Sequence, residues 1–386
     1  MGDPLELWQQ IANTYRQQAA PGAEIKFQIK NPESYETELV NALASGTGPD
    51  IFFLPDELIE RHRDKIRPLA DNTLGYQQKN LNAIFADGPV RAMAGPAGEL
   101  LGMPLYLDTL ALLYNRDYFN SANLPQPPDT WEALAENVKL LTKYTEVGAV
   151  RRSGVALGRA TNVEHAADIL SALLYQNGAN VIDEARRVSA ISNPKTREAL
   201  AFLTAFSDPT RKTYSWNAGF GNSLEAFSRG ETAMVFGYSR DVKRIAALNP
   251  QLNFAAAPLP QPTGAEVQVH YGRFTLLTVS RLSKNIDNAW RFLLWLQSRN
   301  PQKTYGDALG LPPARRDLSK SKPPREYLVT FYDQVLSART LPILGNGWIA
   351  PILNDMIESV ANRRFTIDQA VTRAASEINT QLNRTR

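Results

Sequence analysis

The feature that most constrains this chain is a strand–helix–strand signature close to its start. Ile25, Phe27 and Ile29 alternate as a strand does. Asn31 and Pro32 suit the N-cap and first turn of a helix with Tyr35, Leu39, Ala42 and Leu43 on one face and Gly46 at its stop. Ile51, Phe52, Phe53 and Leu54 follow as a run apolar on both faces, the pattern of a buried parallel strand. One turn of an α/β fold is the simplest structure that satisfies all three. Ahead of it, Leu7, Trp8, Ile11, Ala12 and Tyr15 fall at helical spacing, so the chain opens inside a helix.

The alternation continues downstream. Thr130 precedes a helix whose apolar face is Trp131, Leu134, Val138 and Leu141. Asn222 caps a short helix that stops at Gly230, and Thr232 to Phe236 reads as a strand. Phe274 to Val279 is a further strand, and Asn285 starts a helix through Ala289, Trp290, Phe292, Leu293 and Leu296. Thr366 and Gln369 form a capping box for a last helix with Val371, Ala374, Ile378 and Leu382 inside. Trp131, Trp290 and Trp295 all fit core faces of their helices. Leu259 to Gly264, with Pro260 and Pro262, is the clearest linker. At about 150 residues per domain, 386 residues predict two or three compact units.

Much chemistry is excluded by what the sequence lacks. There is no cysteine, so no disulfide, thiol nucleophile or cysteine-held metal; the three histidines, at 62, 165 and 270, are far apart. HExxH, GxSxG, GxGxxG and the phosphate-loop pattern are missing. No cofactor and no metal site is expected. The net charge of +3 is spread over scattered Arg doublets, which does not make a nucleic-acid surface. No run of about 18 apolar residues occurs, and the opening Met1-Gly2-Asp3-Pro4 has no signal-peptide pattern.

Four blocks, taken in order, carry a family resemblance. They are residues 42–51 (ALASGTGPDI); residues 102–115 (GMPLYLDTLALLYN) with 128–131 (PDTW); residues 227–234 (FSRGETAM); and SKN at 283–285 with AWRF at 289–292, GLP at 310–312 and Arg315. In this order and spacing the sequence resembles the extracellular solute-binding proteins of ABC importers, in the branch that includes the maltodextrin-binding proteins. The resemblance implies an α/β, two-lobed periplasmic-binding-protein fold of the Venus-flytrap type, with the ligand cleft between the lobes. Its first lobe would comprise residues 1–115 and 265–314, and its second 116–260 and 320–386. Crossings would lie near 115–119, 260–264 and 315–322. The family's opening strand, which precedes the first helix, is missing from this expectation.

The same resemblance implies a monomeric receptor outside the cytoplasmic membrane. It would capture a small polar solute, most simply a sugar, by lobe closure and pass it to membrane permease subunits, with no bond made or broken. Sugar recognition needs aromatic faces against the ring and polar groups on the hydroxyls. The expected ligand-binding residues are Asp108, Trp348, Tyr238, Arg240, Tyr106, Trp216, Asp56, Glu57, Tyr271, Asn162 and His165. Asp108 follows the Gly102-x-Pro104 turn, Tyr106 shares its face, and Gly345, Asn346 and Gly347 lead into Trp348. Asp56 and Glu57 follow a strand at its carboxyl end, where open α/β sheets take ligands. Two other readings stay open: a carbohydrate-active enzyme using two carboxylates such as Asp108 and Glu57, and a receptor of the same fold for a polyamine or metal ion.

Overall fold

Three passages divide the chain, at Asp108–Thr109, Gly272–Arg273 and Leu328–Val329. The computed structural model, which describes residues 3–95, 97–342 and 347–384, thereby forms two units. The first is Met1–Asp108 with Arg273–Leu328, and the second is Thr109–Gly272 with Val329–Arg386. Both units are discontinuous, as expected, but the passages lie elsewhere. Residues 115–119 and 260–264 are inside the second unit, and 315–322 inside the first. Two of the three passages are carried by long strands, not by the Pro/Gly linker, and the third joins a 3-10 turn to a helix. Met103–Thr109 reaches its passage at its last residue, and His270–Val279 runs straight through Gly272–Arg273.

In the first unit the Leu5–Gln18 helix buries Leu7, Trp8, Ile11, Ala12 and Tyr15, the face read from the sequence. Trp8 gathers three rings at centroid distances of 6.0, 5.6 and 5.5 Å: Phe27, Phe53 and Tyr305. The Tyr35–Ala44 helix starts later than expected, because the Asn31 side chain instead accepts the Glu33 N–H at 3.0 Å in a local turn. Ile25 to Ile29 forms no strand. Its alternation is met by packing Phe27 on Trp8, while Ile29 stays 57% exposed. Ile51–Pro55 is a strand, but it pairs antiparallel with His270–Val279, from Ile51 opposite Val279 to Pro55 opposite Thr275. That corrects the parallel expectation: two-sided apolarity reports burial, not strand direction. Met103–Thr109 also joins the His270–Val279 strand.

The second unit is built on a sheet whose middle strand, Ala111–Asn115, pairs antiparallel with Met234–Gly237 and with Phe254–Ala257. Here the caps are as read. The Thr130 hydroxyl accepts the Ala133 N–H at 3.2 Å ahead of the Trp131–Leu141 helix. Asn222 accepts the N–H groups of Leu224 and Glu225. Thr366 and Gln369 exchange bonds of 2.9 and 3.3 Å. These reciprocal bonds satisfy N–H groups that a helix start otherwise leaves unpaired. In the first unit Trp290 is buried as expected, whereas Trp295 is half-exposed with its indole N–H on Gln18.

Candidate functional site

The sequence-predicted residues fall into five groups. In the first unit, Asp56 and Glu57 begin a single 3-10 turn, Asp56–Leu58, directly after the Ile51–Pro55 strand. Arg273 holds both carboxylates: its Nε donates to Asp56 Oδ1 at 3.0 Å, and its Nη2 pairs with Glu57. Asp56 is 1% exposed and also accepts the Glu57 N–H at 3.0 Å. The guanidinium supplies the countercharge that a buried carboxylate needs. Arg273 was not anticipated. Its signal was a lone basic residue at the head of the apolar run Phe274 to Val279.

Also in the first unit, the Tyr106 hydroxyl shares a 2.7 Å hydrogen bond with Thr275 Oγ1, and the tyrosine is 4% exposed. It is a packing residue in this structure, against the expectation that it offers itself to ligand. Asp108, the last residue of this unit's first segment, is fully buried.

The remaining candidates lie in the second unit. His165 sits at φ 61°, a left-handed conformation that a non-glycine residue adopts only when its surroundings hold it there. Its Nε2 meets Asp241 Oδ2 at 2.8 Å, and its ring stands edge-on to Tyr238 at 4.7 Å. Tyr238 caps the Ser239–Leu248 helix: its N–H donates to Asp241 Oδ2 at 2.8 Å, and its hydroxyl donates to Asp168 Oδ2 at 2.8 Å. Burial alone would lower the His165 pKa, but the hydrogen bond and charge of Asp241, with Asp168 and Glu164 behind it, raise it. Burial opposes ionisation of Asp241 too, and His165 with the Tyr238 N–H still hold its pKa below the usual carboxylate value. Arg240, two residues after Tyr238, is exposed. Asp168 and Asp241 were missed, because no local pattern marks partners about 70 residues apart in sequence.

Asn162 and Trp216 form the next group. Trp216 is wholly buried and stacks on half-buried Phe220, with centroids 4.4 Å apart and planes 12° apart. Its indole N–H donates to Asn162 Oδ1 at 2.9 Å, and the Asn162 amide donates to the carbonyls of Asn217 at 3.0 Å and Phe220 at 2.7 Å. Trp216 is therefore a core side chain rather than a ligand platform. Asn162 spends both amide hydrogens stapling the 216–220 segment. Both findings run against the expected roles.

Tyr271 is fully buried and stacks on Tyr175 at 6.4 Å, with the Arg339 guanidinium 4.4 Å over the Tyr175 ring. Trp348 is half-buried and immediately precedes the Ile349–Ala361 helix; Gly345 and Asn346 lie outside the described residues. Asp168 and Tyr175 are seven residues apart on the Ala166–Gln176 helix, two turns and about 10 Å along one face. Tyr238 thus engages one end of that face and Tyr271 the other. Tyr238, Asp168, Tyr175 and Tyr271 are all buried, and the Tyr238 hydroxyl is spent on Asp168, so this line is interior packing, against the ligand roles expected for Tyr238 and Tyr271. Among the described residues, no cluster of His, Cys, Asp or Glu could hold a metal ion.

The family model described as bacterial extracellular solute-binding protein matches residues 2–303. A putative binding protein of Brucella abortus is 22% identical over 376 residues, 92% of this chain and 85% of the relative. A maltooligosaccharide ABC transporter solute-binding lipoprotein of Streptococcus pneumoniae is 21% identical over 71% of this chain and 61% of its own length. Among solved structures, a cyclic alpha-maltosyl-1,6-maltose binding protein from Arthrobacter globiformis superimposes with a TM-score of 0.83 at 20% identity. That match covers 98% of this chain and 96% of the other.

Proposed function

The chain belongs to the bacterial extracellular solute-binding proteins, and on that premise we propose that it is the substrate-binding receptor of an ABC importer. It works outside the cytoplasmic membrane, captures a small polar solute of the carbohydrate class, closes its two units around it and hands it to a membrane permease. The observation that carries this reading is the pair of discontinuous α/β units joined by three passages, which a sugar-binding structure matches over nearly the whole chain. Ligand favours the closed form by its differential affinity for it, and a few residues at the passages absorb the motion. No helix among the described residues is long and apolar enough to cross a membrane.

We read the chain as a binder and not an enzyme. A glycosidase needs one carboxylate poised as acid and another free to act on the sugar. Glu57 is paired with Arg273 and Asp108 is wholly buried, which suits neither role. Half-buried Trp348 and His165 and exposed Arg240 are the contacts we assign to the solute. The test is a thermal-shift screen against maltose, maltotetraose, tagatose, spermidine and ferric salts. A sugar at about 100 times its Kd adds about 2.7 kcal/mol and shifts the melting temperature by several degrees. A shift with spermidine or iron alone would overturn the carbohydrate assignment, and no shift with any compound would overturn the receptor reading for these solutes.

A further inference from the structure

Inside the second unit, one side chain on the segment after the third passage bonds to the segment after the first passage and to the linker that precedes the second. Gln334 closes the Val329–Gln334 helix, which begins directly after the third passage, and it is 1% exposed. Its Nε2 donates to Thr109 Oγ1 at 3.0 Å and to the Leu110 carbonyl at 3.2 Å, one and two residues beyond the first passage. Its Oε1 accepts the Leu259 N–H at 2.8 Å, at the start of the linker that leads to the second passage. The segments are also bonded directly. The Thr109 hydroxyl donates to the Phe331 carbonyl at 3.0 Å, and the Leu110 N–H donates to the Tyr271 carbonyl at 2.8 Å.

Gln261 and Gln176 tie the linker down behind this junction. Gln261 accepts the Val269 N–H at 2.9 Å and donates to the Leu259 carbonyl at 2.8 Å. Gln176 donates to the Pro260 and Val269 carbonyls, each at 2.9 Å. The Pro/Gly stretch that reads as flexible from its sequence is thereby held as part of a fixed base.

We infer that Gln334 is a positioning residue for closure: it locks the three passages to one base, so that they turn together. The inference rests on the receptor reading given above. Closure about a hinge needs several strands to rotate in concert, and a strand free to shift alone widens the range of open forms. Ligand must then order that range before the closed form is reached, which weakens binding. Replacing Gln334 with an apolar side chain of similar size removes three bonds and leaves Leu259 N–H, Leu110 O and Thr109 Oγ1 to find other partners in a buried place.

The chain contains no cysteine, so Val147→Cys in the second unit and Leu282→Cys in the first accept one dye each; both positions are exposed. Single-molecule distance distributions are recorded without ligand for the labelled parent and for Gln334→Leu. A clearly broader distribution in the variant supports the inference, and an unchanged width overturns it. If Gln334→Leu fails to give a cooperative melt, Thr109→Val, which removes the bonds of the Thr109 hydroxyl to Gln334 and Phe331, is read by the same criterion. Maltotetraose titration should then show about tenfold weaker binding, carried by slower association because fewer free molecules are ready to bind. The two readings fail separately. No response of the parent to any sugar counts against the receptor reading, while the ligand-free widths alone decide the role of Gln334.

Discussion

In the first unit the candidate side chains satisfy one another by charge: Arg273 closes on Asp56 and Glu57 at the end of a strand. In the second, rings and neutral donors surround a smaller ionic core, with Tyr238 bridging Asp168 and Asp241 while His165 stacks edge-on beside it. On the function proposed above, the difference bears on what each unit has to offer a solute. A guanidinium already shared by two carboxylates has little left to offer, so the first unit presents a pre-set ionic frame. The second carries half-buried Trp348 and exposed Arg240, which we propose as its adaptable contacts. Both frames are over-determined by bonds within their own unit, which is what a preorganised site requires.

The comparison breaks most visibly through the cores beneath the two sites. Trp216→Ala should cost the second unit about 4 kcal/mol, because a wholly buried indole leaves a cavity and strands its Asn162 partner. Chemical denaturation followed by circular dichroism measures it, and a cost under about 1 kcal/mol would mean that Trp216 is not core. Next comes Arg273→Ala, which leaves the Asp56 carboxylate without its cation at 1% exposure. About 3 kcal/mol is expected from the first unit. An unfolding free energy equal to the parent's would show that this ionic frame is ornamental.

The histidines of the second unit sharpen the contrast through pH. Burial pushes His270 from 6.5 down to about 4, with its Nδ1 2.7 Å from the Ser337 hydroxyl oxygen. The unfolded chain therefore binds the proton first, and between pH 6.5 and 4 stability falls as pH falls, by up to about 3 kcal/mol. His165 has the opposite sign. Its pKa is raised, so its contribution is complete below 6.5 and is lost as pH rises through the folded value. His270→Gln should flatten the acid limb of a melting-temperature profile, and His165→Gln should lower stability on the acid side. Profiles that respond to neither substitution would place the acid sensitivity elsewhere.

Much of the fold was legible because periodicity and caps are local. The buried faces of the Leu5–Gln18, Trp131–Leu141 and Ile286–Leu296 helices are those the spacing gives, and the Thr366–Gln369 box forms as read. What stayed hidden was non-local. Nothing near Ile25 to Ile29 says whether a strand partner lies alongside, and nothing near Ile51 says that its neighbour runs antiparallel. The linker at 259–264 misled because composition reports backbone freedom in isolation, whereas Gln334, Gln261 and Gln176 remove it from elsewhere in the chain. The candidate site was legible by residue type more than by role. Tyr238 and His165 do meet, yet Asn162 and Trp216 are consumed by each other.

The smallest expected effect compares one hydroxyl from each unit. Tyr106 and Tyr238 are both buried, at 4% and 3% exposure. The first shares its hydrogen bond with the neutral Thr275 hydroxyl at 2.7 Å, and the second donates to the Asp168 carboxylate at 2.8 Å. A bond to a charged acceptor contributes more to stability than a neutral one, and its loss leaves a buried carboxylate short of a donor. Tyr106→Phe should therefore cost about 1 kcal/mol and Tyr238→Phe about 2 kcal/mol, with the ring packing kept in both. Urea unfolding at neutral pH measures the pair under one condition. The order matters more than either value. Equal costs, or a larger one for Tyr106→Phe, would mean that Asp168 does not depend on Tyr238, and the ionic core of the second unit would have to be redrawn around His165 and Asp241 alone.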